Sequence, residues 1–141
     1  MNKQLWQDTF NVDFQLLAIS TSLADFQLAW HINEITHFKL KRVKDHSIEL
    51  KKGNTLNTSC FQYKTENISI KLIKNKLNEM EASQAFLIPE MKNIDYFLII
   101  QDDTEELEIL NVKSTLSEIK NVILVQIIDA NRLKSVVNLM I

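Results

Sequence analysis

Glycine and proline occur once each in this 141-residue chain, at Gly53 and Pro89. That scarcity limits what the backbone can do. A P-loop or a Rossmann turn needs several glycines, because a Cβ would keep backbone N–H groups away from a phosphate. A G-x-S-x-G nucleophile elbow needs two and is excluded as well. Left-handed turn positions must fall to other residues, and the thirteen asparagines suit them best. A composition of 45% apolar and 24% charged residues is that of a globular chain, read as a single domain over residues 1–141. A chain of this size buries roughly 68–70% of its unfolded surface, enough to fold without a disulfide or a metal.

Cys60 is the only cysteine, so no internal disulfide can form. The stretch Met1–Asp8 has no apolar core of the signal-peptide kind, and no apolar run approaches the ~18 residues of a membrane span. These features predict a cytoplasmic protein.

Net charge is −2, but it is segregated. Residues 1–36 carry a net −3 and residues 77–141 a net −6. Between them, residues 37–76 set ten bases against Asp45, Glu49 and Glu66, a net +7. That basic middle has strand periodicity. Phe38–Lys41 and Ile68–Leu72 alternate apolar and polar residues, and Phe61–Lys64 does so over a shorter span. Such alternation fits antiparallel strands with one face in the core and one in water. Ile48–Leu50 extends a strand before a loop at Lys51–Asn57, and a second loop covers Asn78–Pro89.

The flanking segments read differently. Phe14–Ile19 is a buried strand, followed by a helix over residues 23–35 with Thr21-Ser22 as its cap. On a helical wheel Gln27, His31 and Glu34 form one polar stripe and most of the remainder is apolar, which predicts a helix covered on more than one side. Ile94–Ile100 and Val122–Ile128 are nearly continuous apolar runs, the pattern of central strands covered on both faces. Between them, Asp102–Glu106 places caps and acids at a helix start, and Ile109, Val112, Leu116 and Ile119 form the helix's apolar face. Ala130–Lys134 suits a helical turn, and Val136–Ile141 a final strand. The order β-α-β-β-β-β-α-β predicts an α+β fold: a mainly antiparallel sheet of about six strands with two helices packed on one face, an enlarged split β-α-β or ferredoxin-like arrangement.

The lone proline sits in Ile88-Pro89-Glu90-Met91-Lys92-Asn93-Ile94-Asp95-Tyr96, directly before Phe97-Leu98-Ile99-Ile100. This string resembles the signature of the bacterial IPExxxVDY family, with Ile94 in the Val position. Phe14–Ile19, Leu23–Trp30 and Leu133-Lys134-Ser135 add weaker similarity across most of the chain. The resemblance implies no activity.

Several constellations could carry chemistry. Glu90 and Asp95 could form a paired-carboxylate or metal site at the mouth of a central strand. The structural alternative is favoured: Pro89 fixes φ, both acids accept backbone N–H groups, and Tyr96 packs its ring while its hydroxyl finds a partner. Ile88 and Ile94 frame that unit. His31, His37 and His46 lack zinc-ligand spacing, and Cys60 has no local base, so neither a metal nor a cofactor is expected. The acids at Asp102, Asp103, Glu105, Glu106 and Glu108 lack the EF-hand pattern and read as a helix cap with a solvated face.

Lys39, Lys41, Lys64 and Lys71 are the candidate anion-binding residues, with Arg42, Lys44, Lys74 and Lys76 nearby. Phe38, Phe61 and Tyr63 alternate out of phase with them, which argues against base stacking. The favoured function is therefore non-enzymatic: contact with a protein partner and self-association as a homodimer, through Trp30, Ile32, Leu139 and Ile141. Nucleic-acid binding by the basic 37–76 strands is the alternative. An enzyme using Glu90 and Asp95 ranks last.

Overall fold

A computed structural model describes residues 12–49, 55–77 and 85–140. Gly53, residues 78–84 of the second loop and Ile141 lie outside them. Six strands form one sheet: β1 (Gln15–Thr21), β2 (Lys41–Glu49), β3 (Thr55–Lys64), β4 (Ile68–Lys74), β5 (Tyr96–Asp102) and β6 (Val122–Ile128). Their spatial order is β2-β3-β4-β5-β1-β6, and every neighbouring pair is antiparallel. Helix α1 (Asp25–Ile35) follows β1, and α2 (Ile109–Ser117) links β5 to β6. Because β1 lies between β5 and β6, the β5-α2-β6 crossover is a split β-α-β unit, enlarged by the strands toward β2. The fold is α+β, with two helices on one face.

Strand alternation divides the core in two. On the helical face, Leu17, Ile19, Ile70, Leu72, Leu98 and Ile100 pack against Leu28 and Ile32 of α1 and Val112 and Leu116 of α2. On the opposite face, Leu16, Ala18, Ile73, Phe97 and Ile99 pack against Leu87, Ile88 and Ile94 and against Val136 and Leu139. That second face is covered by segments whose only helical pieces are short 3₁₀ turns at Pro89–Met91, Ala130–Arg132 and Val136–Leu139. β5 thus has apolar cover on both sides, which explains its unbroken apolar run.

Several expectations need correction, among them the loop at Lys51–Asn57, since Thr55–Asn57 open β3 and pair with β2. β6 has the same continuous apolar pattern but is an edge strand, with only Val125 fully buried. Val136–Leu139 is a 3₁₀ turn and not a final strand; Val136 and Leu139 are three apart and fall on one side of its three-residue turn. Helix α1 begins at Asp25 with Ala24 as its cap residue, and Gln27 Oε1 accepts the Ala24 N–H. Thr21 closes the preceding turn instead, accepting the Leu23 N–H. Among the described residues helix α1 is also covered on one side only, since Phe26 and Trp30 are exposed. The acids at 102–108 precede α2 as a loop in which Asp102 accepts the N–H groups of Thr104 and Leu107. Among the described residues two non-glycine residues adopt positive φ, Glu105 at 58° and Asn121 at 75°. Asparagine fills the second, as its tolerance of this region suggests.

Candidate functional site

The motif is organised by a residue outside it. Asn75, directly after β4, is fully buried. Its Oδ1 accepts the Ile88 N–H at 2.9 Å, and its Nδ2 donates to the carbonyls of Met91 (2.9 Å) and Ile94 (2.8 Å). Its backbone completes the clamp: the Asn75 N–H donates to Asp95 O, and its carbonyl accepts the Leu87 N–H. One amide side chain therefore fixes both ends of the Ile88–Ile94 turn and satisfies the Ile88 N–H and the Ile94 carbonyl, while the Met91 carbonyl also accepts the Ile94 N–H.

The remaining motif residues each hold a different part of the fold. The Glu90 carboxylate accepts the Ser135 N–H at 2.9 Å and the Ser135 hydroxyl at 2.8 Å, tying the motif to the C-terminal segment. Partial burial opposes ionisation of Glu90, but the Ser135 bonds together with the backbone N–H groups of Glu90 and Lys134 outweigh it and hold the carboxyl below its ordinary range. Asp95 Oδ2 accepts the Thr21 N–H at the end of β1. The Tyr96 hydroxyl donates to Leu23 O at 2.8 Å, before α1. Burial, then the nearby Asp25 and Asp95 carboxylates, push the Tyr96 phenol far above its usual range. Ile88 and Ile94 are buried in the second core. The two carboxylates thus serve separate neighbours. Among the described residues no group of three His, Cys, Asp or Glu side chains could hold a metal.

Beside the motif lies an open groove of about 550 Å³, lined by Pro89, Met91, Lys92 and Asn93 on one wall and by Ser20, Leu124 and Gln126 of the sheet on the other. The C-terminal segment has two further latches. His46 Nε2 bonds to Asn138 O, and Asn138 Nδ2 donates to Leu87 O at 2.8 Å. His46 Nδ1 is buried with no partner among the described residues. Desolvation lowers the His46 pKa, against the opposing pull of the Asn138 carbonyl and with a smaller contribution from the charge of Lys71. Burial likewise pushes the Cys60 thiol up, so the thiolate needed of a nucleophile is disfavoured.

The candidate lysines are only partly gathered. Lys41 and Lys71 flank Gln62 in one cross-strand row, and Lys64 lies in the next row opposite Ser69. Lys39 precedes β2 and stands outside the sheet. Lys64 and Lys71 border a groove of about 260 Å³ that also holds Glu66 and Asp103. Phe38 and Phe61 are buried in the helical-face core, and Tyr63 packs against it and stacks on Phe38.

The expected dimer residues also separate. Ile32 is fully buried beneath α1 and Leu139 is buried over the second face, so neither is available to a second chain. Their apolar character serves the two internal cores. Trp30 remains outside, as does Phe26 one turn earlier. Ile123, Leu124 and Ile127 of β6 are 79%, 44% and 41% exposed, and Leu110 of α2 is also outside.

No family model matches this chain, and no similar curated protein or solved structure was found. The surfaces themselves must carry the functional argument.

Asn75, Ser135 and Asn138 carry much of this polar framework; only Ser135 falls in a segment the sequence singles out, Leu133-Lys134-Ser135, and nothing there marks it as the partner of Glu90. Asn75 sits between Lys74 and Lys76, where a polar residue after a strand reads as solvated. The β6 surface did leave a signal, its charge-free run, but the same run fits a buried strand.

Proposed function

We propose that this protein is non-enzymatic, acts by protein–protein contact and associates with itself. The observation that supports this is the set of large apolar side chains the fold leaves outside: Phe26 and Trp30 on α1, Leu110 on α2, and Ile123, Leu124 and Ile127 on β6. Burying a residue of this size against a partner is worth ~1.5–3 kcal/mol, so a few suffice for a dimer. The occupied carboxylates of Glu90 and Asp95 support the non-enzymatic part. A cytoplasmic location and kinship with the IPExxxVDY family belong to the same reading; the first rests on the unpaired Cys60, the second on residues 88–96. No helix among the described residues is long and apolar enough to cross a membrane. Sedimentation equilibrium at micromolar concentration tests the proposal: a concentration-dependent dimer is expected, and a monomer throughout overturns it.

Nucleic-acid binding is the second reading, favoured by the Lys41–Gln62–Lys71 row. Its affinity for single-stranded RNA would fall with salt at a slope of ~0.7 per phosphate contacted. Glu66 and Asp103 beside Lys64 and Lys71 weigh against it. Submicromolar binding at physiological salt, lost on charge reversal at Lys39, Lys41 and Lys71, would promote this reading over the first.

A further inference from the structure

We infer that β6 pairs edge to edge with β6 of a second copy, so that two six-stranded sheets run on as one. The inference rests on the self-association proposed above and names its interface. A sheet edge exposes a row of N–H and C=O groups that templates another strand unless the chain prevents it. The two edges here differ in that respect. β2 carries Lys41, Arg42, Lys44, Asp45 and Glu49, and its register breaks between Val43 and His46. Charge and a bulge are the usual protections against pairing. β6 reads Val-Ile-Leu-Val-Gln-Ile-Ile, with no charge and no proline. Its inner side pairs with β1, and no strand among the described residues pairs with its outer side.

The occupant follows from self-complementarity. A twofold axis perpendicular to the sheet sets two copies of one strand antiparallel and keeps their helices on the same face. The overlap is complete when the axis passes at Val125, the middle residue of β6. Ile123 of each copy then lies opposite Ile127 of the other, and these are two of the most exposed apolar residues of the strand. An uncharged strand meets an uncharged strand, with no cost for desolvating an ion. Cross-strand apolar pairs of this kind are what stabilise sheets.

The same register sets Leu124 of each copy opposite Gln126 of the other. Both side chains line the groove beside the motif. Pairing therefore brings two motif-lined grooves together across the axis, with Leu124 and Gln126 of both copies as a shared floor. Each copy alone supplies half of that cleft.

The test is sedimentation equilibrium on the full chain in three forms: wild type, Ile123→Lys/Ile127→Lys, and Phe26→Ser/Trp30→Ser. Four lysines brought together at the axis cost several kcal/mol, so the edge variant should dissociate at least ~100-fold more readily. The helix variant should dimerise as the wild type does. A wild-type dimer that persists in the edge variant, or is lost in the helix variant, overturns the β6 interface and leaves self-association standing. A monomeric wild type overturns both. Hydrogen exchange on the wild type gives a second reading that does not depend on a variant folding. Protection of β6 amides must rise with concentration through the dimerisation range, and concentration-independent exchange overturns the interface.

Discussion

The two faces of the sheet each carry an apolar core, and the two cores are covered in different ways. The helical face is covered by α1 and α2, which satisfy most of their own backbone. The second face is covered by the motif and the C-terminal segment, which contain only 3₁₀ turns. Irregular chain laid over a core leaves N–H and C=O groups without internal partners. Side chains must supply them, and polar residues gather on this side for that purpose. Asn75 serves the motif, Glu90 holds Ser135, and His46 and Asn138 anchor the final turns. Thr58, also fully buried, donates to Lys74 O beside Asn75. A regular layer depends on its apolar stripe; an irregular one depends on a few particular polar atoms.

That contrast can be broken at Asn75. Asn75→Ala leaves the Ile88 N–H and the Ile94 carbonyl without their partner, while the Met91 carbonyl keeps the Ile94 N–H. At ~1–3 kcal/mol for each of the two buried orphans, the expected loss is about 2–6 kcal/mol in urea unfolding. Leu28→Ala beneath α1 should cost about 2–5 kcal/mol by cavity formation. The two differ in which layer loosens: hydrogen exchange should accelerate first in 85–95 and 130–140 for Asn75→Ala, and first in α1 for Leu28→Ala. Equal loosening of both layers would mean that the faces are not distinct.

Smaller changes sharpen the same point. Asp95→Ala frees the part-buried Thr21 N–H and should cost about 1–2 kcal/mol. Glu90→Ala removes the Ser135 clamp from a solvent-facing position, so a loss of about 1 kcal/mol is expected. Neither variant should lose binding of a divalent metal or small molecule. A calorimetric titration in which wild type binds a metal that Glu90→Ala does not would reverse the assignment of Glu90 to structure.

The smallest effect is a pH dependence specific to the second face. The His46 pKa is lowered in the folded protein, so below about pH 6.5 the unfolded chain binds the proton more readily. Stability from His46 is therefore complete above that pH and falls as pH drops toward the folded value. His46→Gln should flatten this slope. An unchanged slope in the variant would exclude His46 as its source.

The sequence carried the sheet better than it carried the cover. Ile94–Ile100 marks a strand with apolar neighbours on both sides, and β5 is that strand, shifted to Tyr96–Asp102 because Ile94 belongs to the preceding turn. The alternation at Ile68–Leu72 placed Ile70 and Leu72 together against the helices and Lys71 on the other face. Val122–Ile128 has the same apolar run as β5 yet lies at an edge, because periodicity reports that a side chain prefers apolar surroundings and not which chain provides them. The motif was visible, but its anchor was not: a single asparagine meeting atoms 13 to 19 residues away leaves no periodic trace. The burial of Ile32 and of Leu139 leaves little trace in the sequence, because helix α1 is apolar around most of its circumference and does not mark the stripe that faces the core, and Leu139 belongs to a cover of loop and turns with no period.

The placement of that cover has a consequence for how the protein is made. Synthesis delivers the strands first, and β6 is complete before Ala130–Leu139 follows. Until it does, a ribosome-bound chain can build its helical face while Leu16, Ile73, Phe97 and Ile99 lack half of their shield. Exposed apolar surface of this kind is what nascent chains lose to aggregation and what chaperones hold. A chain stopped after Ile128 should therefore accumulate as insoluble material, although all six of its strands are present.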